Sequence, residues 1–150
     1  MQSILVNRID ALTRSRLLIV KTDTSLVELA NLLSDTHNSL VVVCDSEGSM
    51  VGIVTKTNIV QQIGLSCSNI DKTLASDVMT RSVTSCRPTD LLVDILSTME
   101  KSSFVHIPVI DEHAKPIGVL SAGDALRALM ADEEYEASLL RNYVMGIGYQ

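Results

Sequence analysis

Two short segments of the chain carry the side chains with the clearest capacity for chemistry. One is PIGVLSAGDALR, where an apolar run containing Gly118 ends at Ser121 and a helical pattern begins near Asp124. A carboxylate can accept hydrogen bonds from both neighbouring hydroxyls of a ribose, and a serine hydroxyl can donate to a phosphate oxygen. The N–H groups that open the following helix would add affinity for an anion. The segment therefore predicts a site for a sugar phosphate.

The same arrangement occurs earlier in the chain, in the segment MVGIVTKTNIVQ. Gly52, Thr55 and Asn58 hold the matching positions, and Asn58 keeps the hydrogen-bonding capacity of an aspartate but lacks its charge. Thr55 and Lys56 remain available to a phosphate. We therefore expect the cleft that carries Asp124 to bind its ligand better, and the Asn58 cleft to be weak or empty.

Phosphate binding requires positive charge. Lys56 and Arg127 are the preferred phosphate contacts because they adjoin the hydroxyl residues of the two motifs. A purely structural interpretation of the second motif is also open, in which Ser121 caps the helix and Asp124 favours its dipole.

Alternating β-rich runs and one-sided helical patterns surround the two motifs. The separation between Gly52 and Gly118, called the repeat offset below, relates the two halves without a gap from Leu17/Val83 to Val60/Leu126. The predicted helices are 3–12, 26–34, 57–63, one that is capped by residues 88–90 and runs to 99, and 122–130. The predicted strands are 17–21, 40–44, 50–54, 83–86, 105–110 and 116–120.

These elements predict an α/β (α+β) protein of two pseudo-symmetric repeats, each a short β-sheet with flanking helices. We place the first repeat with its N-terminal helix at 1–64, a polar linker at 65–76, the second repeat at 77–130 and a C-terminal helical tail at 131–150. A repeat of this size is marginal alone, so each half is expected to bury its apolar face against the other.

The tail has an apolar stripe at helical spacing, which predicts a helix that packs on the core or on a second subunit. The stripe consists of Tyr135, Leu139, Leu140, Tyr143 and Val144, and Gly146 is placed to end the helix.

The bulk composition excludes several classes of partner. The net charge is −6, the pI is near 4.9 and only 3% of residues are aromatic, which argues against nucleic acid. No stretch approaches the roughly 18 apolar residues of a membrane span, and no signal-peptide pattern opens the chain. The three cysteines form no CxxC pair and suit buried thiols in a reduced compartment. We expect a soluble, cytoplasmic protein.

The motifs at their constant separation resemble a tandem pair of CBS domains, a family named after cystathionine β-synthase and also called a Bateman module. The resemblance covers roughly residues 1–130 and rests on DVMT at 77–80, HIPVID at 106–111, and the matched segments GIVTKTN and GVLSAGD. The C-terminal stretch EEYEASLLRNYVMG is similar to the tails of small stand-alone bacterial CBS-pair proteins.

The resemblance implies an adenosine-containing ligand, with AMP, ADP or ATP favoured over NAD or S-adenosylmethionine. The acidic residue of the motif would bind ribose and the hydroxyl residue would lie near phosphate. Two further groups of residues would contribute to the site: Ser82 and Val83, near the base, and His106, Ile107 and Pro108.

The resemblance also implies a regulatory module that forms a homodimer through its helices and signals to an effector protein that the sequence does not identify. An alternative is a ligand-free scaffold whose clefts are vestigial.

Enzyme interpretations fail on spacing. GVLSAG lacks the glycine that a nucleophile elbow requires two residues before the serine, no Walker A sequence occurs, and the histidines show no metal-ligand spacing. We therefore expect no catalytic activity and no metal requirement.

Overall fold

A computed structural model of the chain describes residues 3–36, 38–65 and 67–148, apart from the side chains of Cys67 and of much of the C-terminal helix. The first half contains a 3₁₀ helix (Val6–Ile9), α1 (Asp10–Ser15), β1 (Ile19–Lys21), α2 (Leu26–Thr36), β2 (Leu40–Cys44), β3 (Met50–Thr55) and α3 (Lys56–Leu65). The second contains a 3₁₀ helix (Cys67–Lys72), α4 (Ala75–Val78), α5 (Leu92–Ser102), β4 (His106–Ile110), β5 (Pro116–Ser121) and α6 (Ala122–Gly148).

The first sheet has the order β1-β2-β3, with β1 parallel and β3 antiparallel to β2. All five residues of β2 are buried, as expected for an unbroken apolar run in the centre of a sheet. Both hairpins have a register shift at the same point of the repeat, after Val43 in β2 and after Val109 in β4. The predicted α/β class with two related repeats is confirmed.

The predicted strand at 83–86 was wrong, and the second sheet consists of β4 and β5 alone. What remains of a third strand is a parallel bridge between Cys86 and Val109. Pro108 has no N–H, whereas its counterpart Val42 in the first repeat donates to the Leu18 carbonyl at 2.8 Å, so the ladder cannot extend from Cys86 toward Thr84. Residues 82–84 are left as an irregular segment facing the first repeat.

The N-terminal segment packs on the second repeat, although it precedes the first in sequence. Ile4 and Val6 are buried in the second core, and the Val6 N–H donates to the carbonyl of Asp90 at 2.9 Å. In place of the predicted helix 3–12, the segment forms the short 3₁₀ helix and α1, which lies against β5.

The linker between the repeats makes the reciprocal contact with the core of the first repeat. Ala75, at the start of α4, is fully buried in the first core, where Ile70 and Val78 pack beside it. The helix α4 lies against β3 as α1 lies against β5. Each repeat is therefore completed by the segment that precedes the other repeat.

A glycine in each hairpin permits these contacts. A Cβ at Gly118 would lie 2.7 Å from Thr13 Oγ1, and one at Gly52 would lie 2.7 Å from Met79 Sδ. Because real Cβ atoms do not approach neighbours so closely, only a hydrogen fits at either position. Each glycine is therefore required because another segment of the same chain packs directly against it.

The last helix, α6, runs without a break from Ala122 to Gly148, joining what the sequence predicted as two helices. Its middle, ALRALMADEEYEASLL, has no glycine or proline that would end it. Of the predicted apolar stripe, only Leu140 has a described side chain, which is 64% exposed; the others lie outside the described side chains. In the described part of the chain, no helix combines the length and apolar character needed to cross a bilayer.

Candidate functional site

A cavity of about 500 Å³ lies between the two repeats. Its volume falls in the range of about 300–1,000 Å³ that is typical of small-molecule sites. The first repeat contributes the start of β2, the end of β3 and the first turn and a half of α3. The second repeat contributes Thr80, residues 82–84 and residues 103–107.

The first motif forms one corner of this cavity. Asn58 Oδ1 accepts hydrogen bonds from the Thr55 N–H at 2.9 Å and from Thr55 Oγ1 at 3.0 Å. The Asn58 N–H donates in return to Thr55 Oγ1 at 3.2 Å, as at a helix N-cap. Asn58 Nδ2 donates to Thr80 Oγ1 across the repeat boundary at 3.3 Å. The motif therefore ties the two walls of the cavity together.

His106 lies on the opposite wall, at the start of β4. Its Nδ1 makes a short hydrogen bond with Ser39 Oγ, which again joins the two repeats. Burial lowers the pKa of His106 below its ordinary value, and the nearby Arg16 charge lowers it further, against the opposing effect of Asp124. The ring is therefore neutral at pH 7 and offers one donor and one acceptor nitrogen.

The rest of the lining is mainly apolar and hydroxylic. The apolar residues are Leu40, Ile53, Val83, Phe104, Val105 and Ile107. Phe104 and Val105 are 42% and 62% exposed, which leaves an aromatic face and a β-branched face at the rim. Among the lining residues that the structure describes, Lys56 is the one lysine or arginine, and none is an aspartate or a glutamate.

The second motif has a different environment. Arg16 donates to both carboxylate oxygens of Asp124, from Nε at 2.6 Å and from Nη2 at 3.1 Å, and Arg127 Nη2 donates at 2.6 Å. Asp124 is 5% exposed. The hydrogen bond from Arg16 is the main cause that holds the pKa of Asp124 below its usual value, and it raises the pKa of Arg16 in turn.

Ser121 is also buried, and its Oγ accepts a hydrogen bond from the Asp124 N–H at 3.4 Å. This is the geometry of the structural interpretation, in which the serine caps the helix. The carboxylate expected to bind ribose faces arginines of its own chain.

The structure thus brings together seven of the eleven predicted site residues around one cavity: Thr55, Lys56, Asn58, Ser82, Val83, His106 and Ile107. The other four lie outside its lining: Pro108, Ser121, Asp124 and Arg127. The grouping differs from the expected one, because Ser82, Val83 and His106 line the cavity with the Asn58 motif, although His106 is also paired with Ser121 in the hairpin. The two repeats meet face to face, so each motif lies opposite the first segment of the other repeat.

Sequence reasoning missed several residues of the site. Ser39 immediately precedes the buried strand β2, and Phe104, the chain's one phenylalanine, precedes HIPV. Arg16 was also missed, although the repeat offset makes it the counterpart of Ser82. Applying that offset to Ser82, which was itself a predicted site residue, would have found Arg16.

The family model for the CBS domain matches this chain twice, at residues 9–64 and 75–131. The chain belongs to the CBS domain family. The two matches coincide with the two repeats seen in the structure, and the chain is a CBS pair.

Proteins of similar sequence include both small and large ones. The chain is 27% identical over 126 residues to an uncharacterised 17.7 kDa protein of Acidianus ambivalens, covering 84% of this chain and 75% of that one. It is 27% identical over 110 residues to the homoserine O-acetyltransferase of Methanococcoides burtonii, covering 73% of this chain. The match spans only 22% of that enzyme's length.

Solved structures share the fold. The CBS-domain protein ATU1752 of Agrobacterium tumefaciens matches with a TM-score of 0.73 at 27% identity, covering 83% of this chain and 98% of that one. CBSX2, an Arabidopsis thaliana CBS-pair protein, was solved in complex with AMP and matches with a TM-score of 0.72 at 24% identity, with coverages of 86% and 98%. The CBS pair of MJ0100, solved with 5′-methylthioadenosine and S-adenosyl-L-methionine, matches with a TM-score of 0.71 at 21% identity, also covering 86% and 98%.

Proposed function

We propose that this CBS pair is a regulatory module that binds an adenosine-containing nucleotide, with AMP favoured, in the cavity between its repeats. The observation that carries the proposal is the cavity itself, where the GIVTKTN motif meets residues 82–84 and His106 of the other repeat. The AMP in CBSX2 and the adenosine compounds in MJ0100 support the ligand class.

The polar groups at the first motif suit a ribose phosphate. Thr55 and Lys56 line the cavity where β3 ends and α3 begins, so a hydroxyl and an ammonium group lie at the N-terminus of a helix, where the helix dipole favours an anion. Asn58 Oδ1 accepts two hydrogen bonds from Thr55, and Nδ2 donates one hydrogen bond to Thr80. The second Nδ2 proton can therefore be donated to a ribose oxygen.

The apolar lining suits the base. Val83 and Ile107 provide apolar contacts for an adenine ring, and Phe104 at the rim can stack on it. We assign Ser82 and the neutral His106 to hydrogen bonds with the polar edge of the ring. These roles extend the implied family pattern to the residues that the cavity holds.

The charge of the lining favours a monophosphate. One lysine offsets part of the charge of a single phosphate group, whereas a triphosphate would bring more negative charge to a site with no second cation among the described lining residues. S-adenosylmethionine carries a sulfonium, which no carboxylate of this lining would balance. The expected order of affinity is AMP above ADP and ATP, with S-adenosylmethionine weakest.

The experiment is a thermal and calorimetric titration with AMP, ADP, ATP, NAD and S-adenosylmethionine. At a hundredfold excess over its dissociation constant, a ligand stabilises the folded state by about 2.7 kcal/mol. Lys56→Ala should weaken AMP binding and leave adenosine binding largely unchanged. Lys101→Ala, which removes an exposed lysine from α5 outside the cavity, is the matched control.

The second candidate function, a ligand-free scaffold, would be favoured by the absence of any stabilisation at millimolar concentrations. Binding of AMP that is equally weakened by both lysine substitutions would contradict the assigned phosphate site.

A signal requires that the ligand bind two states of the protein with different affinity. We propose that these states differ in the geometry of a homodimer formed through α3 and α6. Val60 and Ile63 on α3 are 66% and 47% exposed, and Leu126 and Met130 on α6 are 51% and 52% exposed. Val60 and Leu126 are counterparts at the repeat offset, so the two repeats present matching apolar positions to a second copy.

A further inference from the structure

The second motif holds the position in the second repeat that the first motif holds at the cavity. Ser121 and Asp124 correspond to Thr55 and Asn58 at the repeat offset. The close approach of Gly118 to Thr13 repeats that of Gly52 to Met79 at the same offset. The chain therefore passes each motif in the same way, and two equivalent ligand positions would be expected.

The residue that faces each motif differs in the two clefts. Ser82 lines the cavity at the first motif, and its short side chain leaves the space before Asn58 open. Its counterpart is Arg16, whose guanidinium bonds both oxygens of Asp124 at 2.6 and 3.1 Å. A planar guanidinium matches a carboxylate in this bidentate manner, and such charge-assisted bonds are about twice as strong as neutral ones.

The carboxylate of Asp124 is therefore not available to bind a ligand. A ribose would have to replace two bonds from a cationic guanidinium with bonds from two neutral hydroxyls, and so lose the ion pair, at a carboxylate that is 5% exposed. Arg127, the expected phosphate contact, is bound to the same carboxylate at 2.6 Å. The groups expected to hold the sugar and the phosphate are both engaged within the chain.

We infer that Arg16 closes the second cleft from within and so limits the chain to one nucleotide. The inference rests on the proposed function of the first cavity for the identity of the nucleotide. Removal of Arg16 would release Asp124 for ribose, while Ser121 and Arg127 remain beside it for phosphate.

The test is isothermal titration with AMP of the full chain and of Arg16→Ser, which copies the serine of the first cleft. The wild type should bind one AMP per chain and R16S two. Arg14→Ser is the matched control, because Arg14 lies two residues away with a 72% exposed side chain and pairs only weakly with Asp10 at 3.7 Å. R14S should bind one. A wild type that binds two, or an R16S protein that gains no site, overturns the inference.

A second variant guards against misfolding, since R16S leaves a buried carboxylate with Arg127 as its remaining charged partner. Arg16→Ser with Asp124→Asn reproduces both residues of the first cleft and leaves no buried charge. With its fold verified by circular dichroism, it should also gain one AMP site relative to the wild type, and no gain counts against the inference. If the wild type binds no AMP, the proposed function of the first cavity fails, whereas a site gained by either variant still upholds the closure by Arg16.

Discussion

A single methyl group added at Gly118 should destabilise the protein. In Gly118→Ala the new Cβ would lie 2.7 and 2.8 Å from Oγ1 and Cβ of Thr13, and 3.0 Å from its backbone carbon. Thr13 cannot easily retreat, because it is 4% exposed and its hydroxyl donates to the Asp10 carbonyl within α1 at 3.1 Å. The helix must therefore move away from β5.

The size of the effect follows from the cost of overpacking, about 1–3 kcal/mol in a well-packed core. Because backbone as well as side chain must shift, we expect a loss of about 2 kcal/mol. For a domain of this length that corresponds to a fall in Tm of about 4–8 °C. Urea unfolding followed by circular dichroism measures the free energy directly.

Gly64→Ala is the matched control, since it adds the same atom near the end of α3 with no neighbour within 4 Å. There the reduced backbone freedom of alanine should raise stability by about 0.5 kcal/mol. A G118A protein as stable as the wild type, or shifted in the same direction as G64A, would refute the argument that α1 is held against the glycine.

Two further predictions concern charge and assembly. Asp124→Asn should cost about 2 kcal/mol at pH 7, the scale of hydrogen bonds to a charged group, because both arginines lose their carboxylate. The folded-state pKa of Asp124 is depressed, so its contribution to the free energy of unfolding is complete above the unfolded-state pKa of about 4 and is lost as the pH falls below it. The urea midpoints of D124N and the wild type should therefore converge in acid. A constant difference between them down to about pH 2 would contradict this. Sedimentation equilibrium should give a dimer for the wild type and a monomer for Val60→Asp, while an unchanged mass would exclude the α3 face from the interface.

The constant repeat offset made much of the fold predictable. It located both hairpins, because an apolar run, a polar turn and a second apolar run recur at the same interval, and β2 and β3 formed within a residue of their predicted bounds. It failed at 83–86, where the β-rich composition is real but the neighbouring strand presents Pro108, which has no N–H, in place of Val42. A pattern within one segment does not reveal a missing donor on the strand beside it.

The composition of the site was also predictable, but its assembly was not. Both motifs have the same internal spacing, so nothing local indicates that His106 faces the motif of the other repeat. One partner of Asp124, Arg16, lies 108 residues away in sequence. Such a contact depends on how the two repeats meet, which is decided by the burial of Val119 of β5 against Leu40 and Val42 of β2.

The exchange of segments between the repeats bears on how such a chain could have arisen. A solitary second repeat would lack Ile4 and Val6 from its core, and a solitary first repeat would lack Ala75. A one-repeat ancestor could have filled that gap only by accepting the leading segment of another copy, as in a swapped dimer. Fusion of two such copies converts the exchange into an intramolecular one, held by the effective concentration of the tether and independent of how much protein is present.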